Sequence, residues 1–480
     1  MNRKALSLLT ASSAALLLAA CAVGPKAPDP VVPVQGQGAF IGSQSASVST
    51  EAARADWWRL YNDATLDGLI QQALTENNEL EAAAANLRAV RASLSEARAG
   101  RLPSTNLNAS GQYGRASAAA TAGGNNGQSF ENGETYSAGL DVAYEIDLFG
   151  RVDSTIRAAR ADADAAAEAL EVVRITVAAE TARAYADTCS ANAQIAVAER
   201  TIELQGKTVD LTQRLLDGGS GNGLDVARAR AALEQTRASL PPLRASRDGA
   251  LYRLSTLTGR TPAEASEAAR GCQSPPQLSQ PIPVGDGAAL LARRPDVRQA
   301  ERKLAAAAAR VNVATASLYP SISLGGSLGT SALDSNDLGK DSSFRFSVGP
   351  LISWNFPNIA VARARIKQAD AQTDAALATF DQTVLTALQE TETALSSYAN
   401  ELDRRTALRT ARDQAATAAR LSRLRFDAGA DSFLTVLDSE RTLAGADAAL
   451  AASEAQVTTY QIALFKALAG GWDQAPDPEA

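Results

Sequence analysis

The 480-residue chain contains no histidine, and Met1 is its only methionine. Histidine is the usual general base near neutral pH and the commonest metal ligand, so its absence removes the simplest route to acid–base catalysis and to a metal centre. Soft-metal coordination is disfavoured for the same reason. Cysteine is scarce, with only Cys21, Cys189 and Cys272. Cys189 and Cys272 could pair in an oxidising compartment, but the first falls in a helix and the second in a loop, and no disulfide is expected to be required. The chain also lacks a basic patch. Its net charge is −7, and −9 once the first 20 residues are removed, which excludes a surface built for nucleic acid.

Those first 20 residues have the form of a secretory signal: Arg3 and Lys4, an apolar run from Ala5, and Leu18-Ala19-Ala20 before Cys21. A cysteine directly after the cut makes a lipobox, so Cys21 is expected to be the acylated N-terminus of a bacterial lipoprotein. Ala22 in place of aspartate suits sorting to the outer membrane. Residues 21–50, rich in Pro, Gly, Ser and Gln, read as an extended lipidated tether.

Beyond the tether the chain is written twice. The first repeat covers 51–270: a helix from about Leu66 to Arg98, a strand hairpin over 104–148, and a long helical hairpin over 151–258. A Pro/Gly-rich linker spans 271–287. The second repeat, 288–472, has a helix, a strand hairpin over 321–356 and a helical hairpin over 361–469, and 473–480 form a tail. An offset of 217 lays Leu69–Pro103 on Asp286–Pro320 without gaps. An offset of 210 lays Asp217-Gly218-Gly219 on Asp427-Ala428-Gly429 and Leu224 on Leu434. Arg151–Leu216 and Val361–Phe426 are 66 residues each. A continuous helix of that length spans roughly 100 Å, about three times a bilayer's hydrocarbon core, and is too charged to lie in one. Long Ala-rich helices returning through a tight turn predict antiparallel coiled-coil hairpins.

The strands carry the membrane signal. In Ser343–Phe356, Phe344, Phe346, Val348, Ile352, Trp354 and Phe356 take one face, and Ser343, Arg345, Ser347, Gly349 and Ser353 take the other. Leu140, Val142 and Tyr144 alternate with Asp141, Ala143 and Glu145 in the same way, as do Thr105–Tyr113 and Ile322–Leu328. Such lengths with aromatic ends suit tilted membrane-spanning strands whose oily face meets lipid. Four strands cannot close a barrel, and an open edge strands unpaired backbone groups in lipid. Several identical chains must therefore share one barrel: two copies give eight strands, three give twelve.

Enzymatic motifs fail on inspection. Gly218–Gly223 (GGSGNG) lacks the Lys-Ser/Thr that a phosphate loop needs, and its counterpart in the second repeat has a single glycine, as expected of a hairpin tip. Glu390 and Glu392 read as a solvated helix face. No nucleophile has a base, and no cofactor is implied. Leu434 and Asp438, at i and i+4, share one helix face just past the second tip. On the residues alone they are most simply a core leucine and a surface aspartate; repeated around a symmetric tube, a leucine ring would block water and a carboxylate ring would bind cations and resist closure.

Trp57–Leu74 (WWRLYNDATLDGLIQQAL), Leu291–Glu301 (LARRPDVRQAE), Ala316–Gly329 (ASLYPSISLGGSLG) and Ser432–Trp472, which runs from SFLTVLDSERTL to KALAGGW, resemble the outer-membrane factor, or TolC-like, family. Within it they resemble the lipoprotein branch that serves tripartite drug-efflux pumps. The resemblance covers nearly the whole mature chain. It implies an α+β membrane protein: a homotrimer whose four strands per chain form a twelve-stranded transmembrane barrel, continued by a long periplasmic α-helical barrel. It implies a passive outer-membrane duct with two partners, a periplasmic adaptor and an inner-membrane transporter of the resistance-nodulation-division type. Leu434 and Asp438 would form the periplasmic constriction. Asp217, Gly218, Gly219, Leu224, Asp427 and Gly429 would be the adaptor-contacting tips, with the extra glycines of the first tip a departure. A type I protein-secretion or metal-efflux duct is the alternative within the class; a lipid-anchored periplasmic spacer without a pore is the alternative outside it.

Overall fold

The structure, a computed structural model of the chain, describes residues 24–25, 28, 31–115, 132–278, 280–354, 356 and 359–469. The expected signal, Cys21, the loop around GGNNG and the tail 473–480 lie outside the described residues.

The first half comprises β1 (Val48–Ser49), α1 (Ala64–Glu76), α2 (Asn78–Ala99), β2 (Ser104–Gly114), β3 (Gly133–Ile146), α3 (Arg151–Asp217) and α4 (Gly223–Leu257). The second comprises α5 (Glu267–Arg270), β4 (Ile282–Pro283), α6 (Gly287–Arg293), α7 (Pro295–Ala316), β5 (Ser321–Ala332), β6 (Phe344–Ser353), α8 (Ile359–Asp427) and α9 (Phe433–Ala467). At 67 and 69 residues, α3 and α8 have the near-equal lengths read from the repeat. Pro241 and Pro242 are accommodated inside α4.

The single helix expected from Leu66 to Arg98 is broken at Asn77, which takes extended backbone angles. Its side-chain oxygen accepts from the amides of Glu79 and Leu80 at 2.9 and 3.1 Å, an N-cap that starts α2 afresh. Its amide nitrogen donates to the Leu257 carbonyl at 2.9 Å. The offset of 217 carries Asn77 onto Arg294, where the second half breaks between α6 and α7. There Pro295 is the cause, because proline drives the residue before it out of the helical region. One break, made by two chemistries, is common to both repeats.

Contacts divide the chain into two compact units. Of the described residues, the first holds those within 87–166 and 300–380, with 24, 25 and 28, and contains the antiparallel sheet β2-β3-β5-β6. The second holds those within 31–86, 167–299 and 381–469. Its core gathers Trp57, Tyr61, Leu66, Ile70, Leu254, Leu290, Leu464 and Phe465, all buried. Trp57 stacks on Phe465 with ring centroids 4.8 Å apart.

One expectation fails in this unit, and one pairing left open by the sequence is made. From residue 31 the chain is not a free tether. Phe40 is buried, and the amides of Ile41 and Gly42 donate to the Glu392 carboxylate at 2.7 and 3.0 Å. The carbonyls of Gln37 and Gly38 accept from Ala288 and Gly287, and β1 pairs in parallel with β4. Glu392 is therefore not part of a solvated face: it satisfies donors that open a 3-10 turn. The pairing left open is the disulfide. Cys189 and Cys272 are bonded, with Cα atoms 5.0 Å apart. One turn beyond Cys189, the Asn192 side chain donates to the carbonyls of Arg270 and Cys272 at 3.0 and 2.7 Å, which holds the linker against α3.

Candidate functional site

In the sheet unit, cross-strand partners share a face, so register tests the alternation directly. One row reads Leu107, Leu140, Leu328, Phe346 and the next Thr105, Val142, Gly326, Val348. A third places Tyr144 beside Leu324 and Pro350, and a fourth Ile146 beside Ile322 and Ile352. All four strands thus turn their oily residues to the same side. Leu107 is 80% exposed, Phe346 74%, Val348 76% and Ile352 69%, while Phe344, Trp354, Leu140 and Tyr144 are also exposed and Val142 is half-buried. An apolar surface of this extent marks a contact with lipid or with another molecule.

The opposite face is polar. Asn108 donates to Asp141 at 2.6 Å, and the hydroxyl pairs Ser110–Ser137 and Ser327–Ser347 lie 2.9 and 2.7 Å apart. Leu351, the residue that breaks this face's pattern, packs over Gly325, where a Cβ would come within 2.7 Å of its side chain. At the helix-proximal end of the strands, Trp354 and Phe356 lie 5.0 Å apart and Phe149 stacks on Tyr319 at 4.7 Å. The indole of Trp354 donates to the Leu318 carbonyl at 3.2 Å. Aromatic rings with one polar handle suit the boundary between lipid and water.

The sheet is one four-stranded ribbon, because β3 also pairs with β5. That junction of the two hairpins leaves β2 and β6 each paired on one side only. Among the described residues no helix is long and apolar enough to cross a membrane.

In the helical unit, both tips are closed by the same turn. Gly219 and Gly429, related by the offset of 210, have φ of 77° and 71°, the left-handed conformation that ends a helix and that glycine adopts without penalty. The amides of Gly218, Gly219, Ser220 and Gly221 all donate back to carbonyls of Arg214, Leu215 and Leu216. These four amides are spent on closing the turn rather than turned outward to cradle a phosphate. At the second tip Arg425 makes a two-pronged pair with Asp431 at 2.7 and 3.3 Å. Asp217 accepts from Gln213 at 2.9 Å.

Leu224 and Leu434 are the equivalent, exposed residues at the starts of α4 and α9. Asp438 lies one turn beyond Leu434 on the exposed face, and its carboxylate accepts from Arg441 at 2.8 Å. That partner, three residues on, was available in the sequence as Asp438-Ser439-Glu440-Arg441. Two residues on, the half-buried Glu440 accepts from Thr208 of α3 at 3.0 Å and faces Arg423 of α8 at 3.6 Å. Burial pushes its carboxyl above the ordinary glutamate value, against the opposing pull of Thr208 and Arg423.

The sequence segments that carry the resemblance meet one another. Arg294 is 6% exposed and spends its guanidinium on the forked carboxylate of Asp296 at 3.0 and 2.7 Å, on Glu390 at 2.8 Å and on the Ala467 carbonyl at 2.9 Å. Arg293 donates to the Leu468 carbonyl at 2.9 Å. The paired arginines thus cap the C-terminus of α9, where orphan carbonyls need donors. Glu390, like Glu392, is a partner and not an idle surface charge.

No group of metal-ligating side chains occurs among the described residues. Residues 69–260 and 288–470 match the family described as outer membrane efflux protein. The chain is 32% identical to the outer membrane protein OprJ of Pseudomonas aeruginosa, over 96% of this chain and 95% of that one. It is also 32% identical to the probable efflux pump outer membrane protein TtgC of Pseudomonas putida, over 97% and 96%. Among solved structures it resembles the outer-membrane channel OprN, with a TM-score of 0.87 and 35% identity over 94% of this chain and 100% of that one.

Proposed function

This chain belongs to the outer membrane efflux protein family, and from that premise we propose that three copies close one twelve-stranded barrel through which a tripartite pump expels drugs and other small toxic compounds. The observation that carries this is the ribbon with one oily face and two open edges. In lipid each unpaired backbone group costs several kcal/mol, so β2 of one copy must pair with β6 of the next. The protein is a passive duct: the polar face of the sheet lines the passage, and energy comes from an inner-membrane transporter coupled through a periplasmic adaptor.

Finer assignments follow within that frame. Leu434 and Asp438 of three copies narrow the periplasmic end. The tips at Asp217, Gly218, Gly219, Leu224, Asp427 and Gly429 meet the adaptor. Cys21 carries the lipid. Gly24 packs against Asn312, within four residues of the end of α7 and nine of the start of β5.

Conductance tests the duct. In planar bilayers the purified full-length protein is expected to show small single-channel events that widen in Leu434→Ala/Asp438→Ala. Absence of any conductance in parent and variant alike would overturn the duct, and equal conductance would overturn the constriction.

A further inference from the structure

The helical unit contains a groove of about 580 Å³ between α3, α4 and α9 that nothing above explains. Its apolar lining combines Val197 of α3 and Leu243 of α4 with small residues, among them Ala232 of α4 and Ala444, Gly445 and Ala448 of α9. Small residues alone would signify only close packing, but two features point to an occupant. Gln205 of α3 lines the groove, is 6% exposed, and its side-chain oxygen has no hydrogen-bond partner. A buried acceptor left in this state is costly, and a donor brought by a ligand would relieve it. Gly445 sits inside a 35-residue helix, where glycine is unfavourable by about 1 kcal/mol relative to alanine, yet a Cβ there would meet nothing within 4 Å. No neighbour within the chain demands the glycine, and a side chain there would extend into open space.

At the rim stands Arg441, whose exposed guanidinium also holds Asp438. We propose that this groove binds a small amphipathic organic anion: its acid group on Arg441, an N–H or O–H donor on Gln205, and its apolar body against Ala232, Ala444, Gly445 and Ala448. The volume falls within the range of pockets for drug-sized ligands. Occupation would draw Arg441 from Asp438, so the ligand would reach the carboxylate assigned above to the constriction. The site goes beyond the duct and does not depend on it.

The test uses 2-anilinonaphthalene-6-sulfonate, which carries a sulfonate, an anilino N–H and two aromatic bodies, titrated by fluorescence onto the full-length assembled protein. Saturable binding is expected. Arg441→Gln and Gln205→Leu should each weaken it about tenfold, the loss of one charge-assisted or buried hydrogen bond. Gly445→Leu, which fills open space and favours the helix, should abolish it. Conductance of the same samples reads the duct separately. No saturable binding to the parent, as when a neighbouring copy covers the groove, would overturn the site; so would binding that survives Gly445→Leu or is unchanged in both polar variants.

Discussion

Replacing Arg294 by lysine keeps the charge and removes the fork. The arginine makes four hydrogen bonds, and they are not equal. The Asp296 and Glu390 side chains are one-third and one-half exposed, so water can replace much of what they lose. The Ala467 carbonyl is buried, and its other neighbour, the Thr391 hydroxyl, is 3.5 Å away. An ammonium cannot serve a bidentate carboxylate and this carbonyl together. One charged hydrogen bond to a buried acceptor, with an attenuated contribution from the fork, gives a loss of about 2–4 kcal/mol at the end of α9. Hydrogen–deuterium exchange on the full-length protein reads that loss locally. Amides in the last turn of α9 should exchange roughly 30- to 1000-fold faster in Arg294→Lys, while the strands are unchanged. A change below about threefold would refute the view that this arginine clamps the helix terminus.

The other expectations concern separate parts of the chain. The Cys189–Cys272 bond spans 83 residues, and chain entropy puts its contribution at about 4.5 kcal/mol; Cys189→Ala/Cys272→Ser should lower the thermal midpoint markedly, and an unchanged midpoint would mean the linker is held by Asn192 alone. Glu440 has its folded-state pKa raised by burial, so the folded protein holds the extra proton and stability falls as pH rises from the ordinary glutamate value through the raised one. Thermal midpoints of Glu440→Gln should lose that slope; the same slope in the variant would place its origin elsewhere. Cys21→Ala should abolish palmitate labelling while leaving the trimer intact, and label on the variant would contradict acylation at that residue.

Much of this was legible because it is periodic. Alternation placed Leu107, Leu140, Leu328 and Phe346 on one face before any register was known, and the pairing puts those four in a single row. The repeat offsets placed both tips, down to the glycines with positive φ. What escaped is long-range and leaves no period: the junction of β3 with β5, the capture of residues 37–42 by Glu392 and α6, and the Cys189–Cys272 bond. The break at Asn77 escaped because asparagine within an apolar helical pattern looks tolerable, and its role as a cap depends on the Leu257 carbonyl far along the chain. Arg294 and Glu390 stood in plain view, but a charged residue shows its value only when its partner does.

The central claim is that the open edges of the ribbon are closed by identical neighbours. Cysteine pairs placed one in β2 and one in β6, scanned for register in a Cys189→Ala/Cys272→Ser background and oxidised in outer-membrane vesicles, test it most directly. The prediction is a ladder of covalent species that ends at three copies for pairs in register. A ladder that stops at two or runs past three, or chains that stay single at every register, would contradict it.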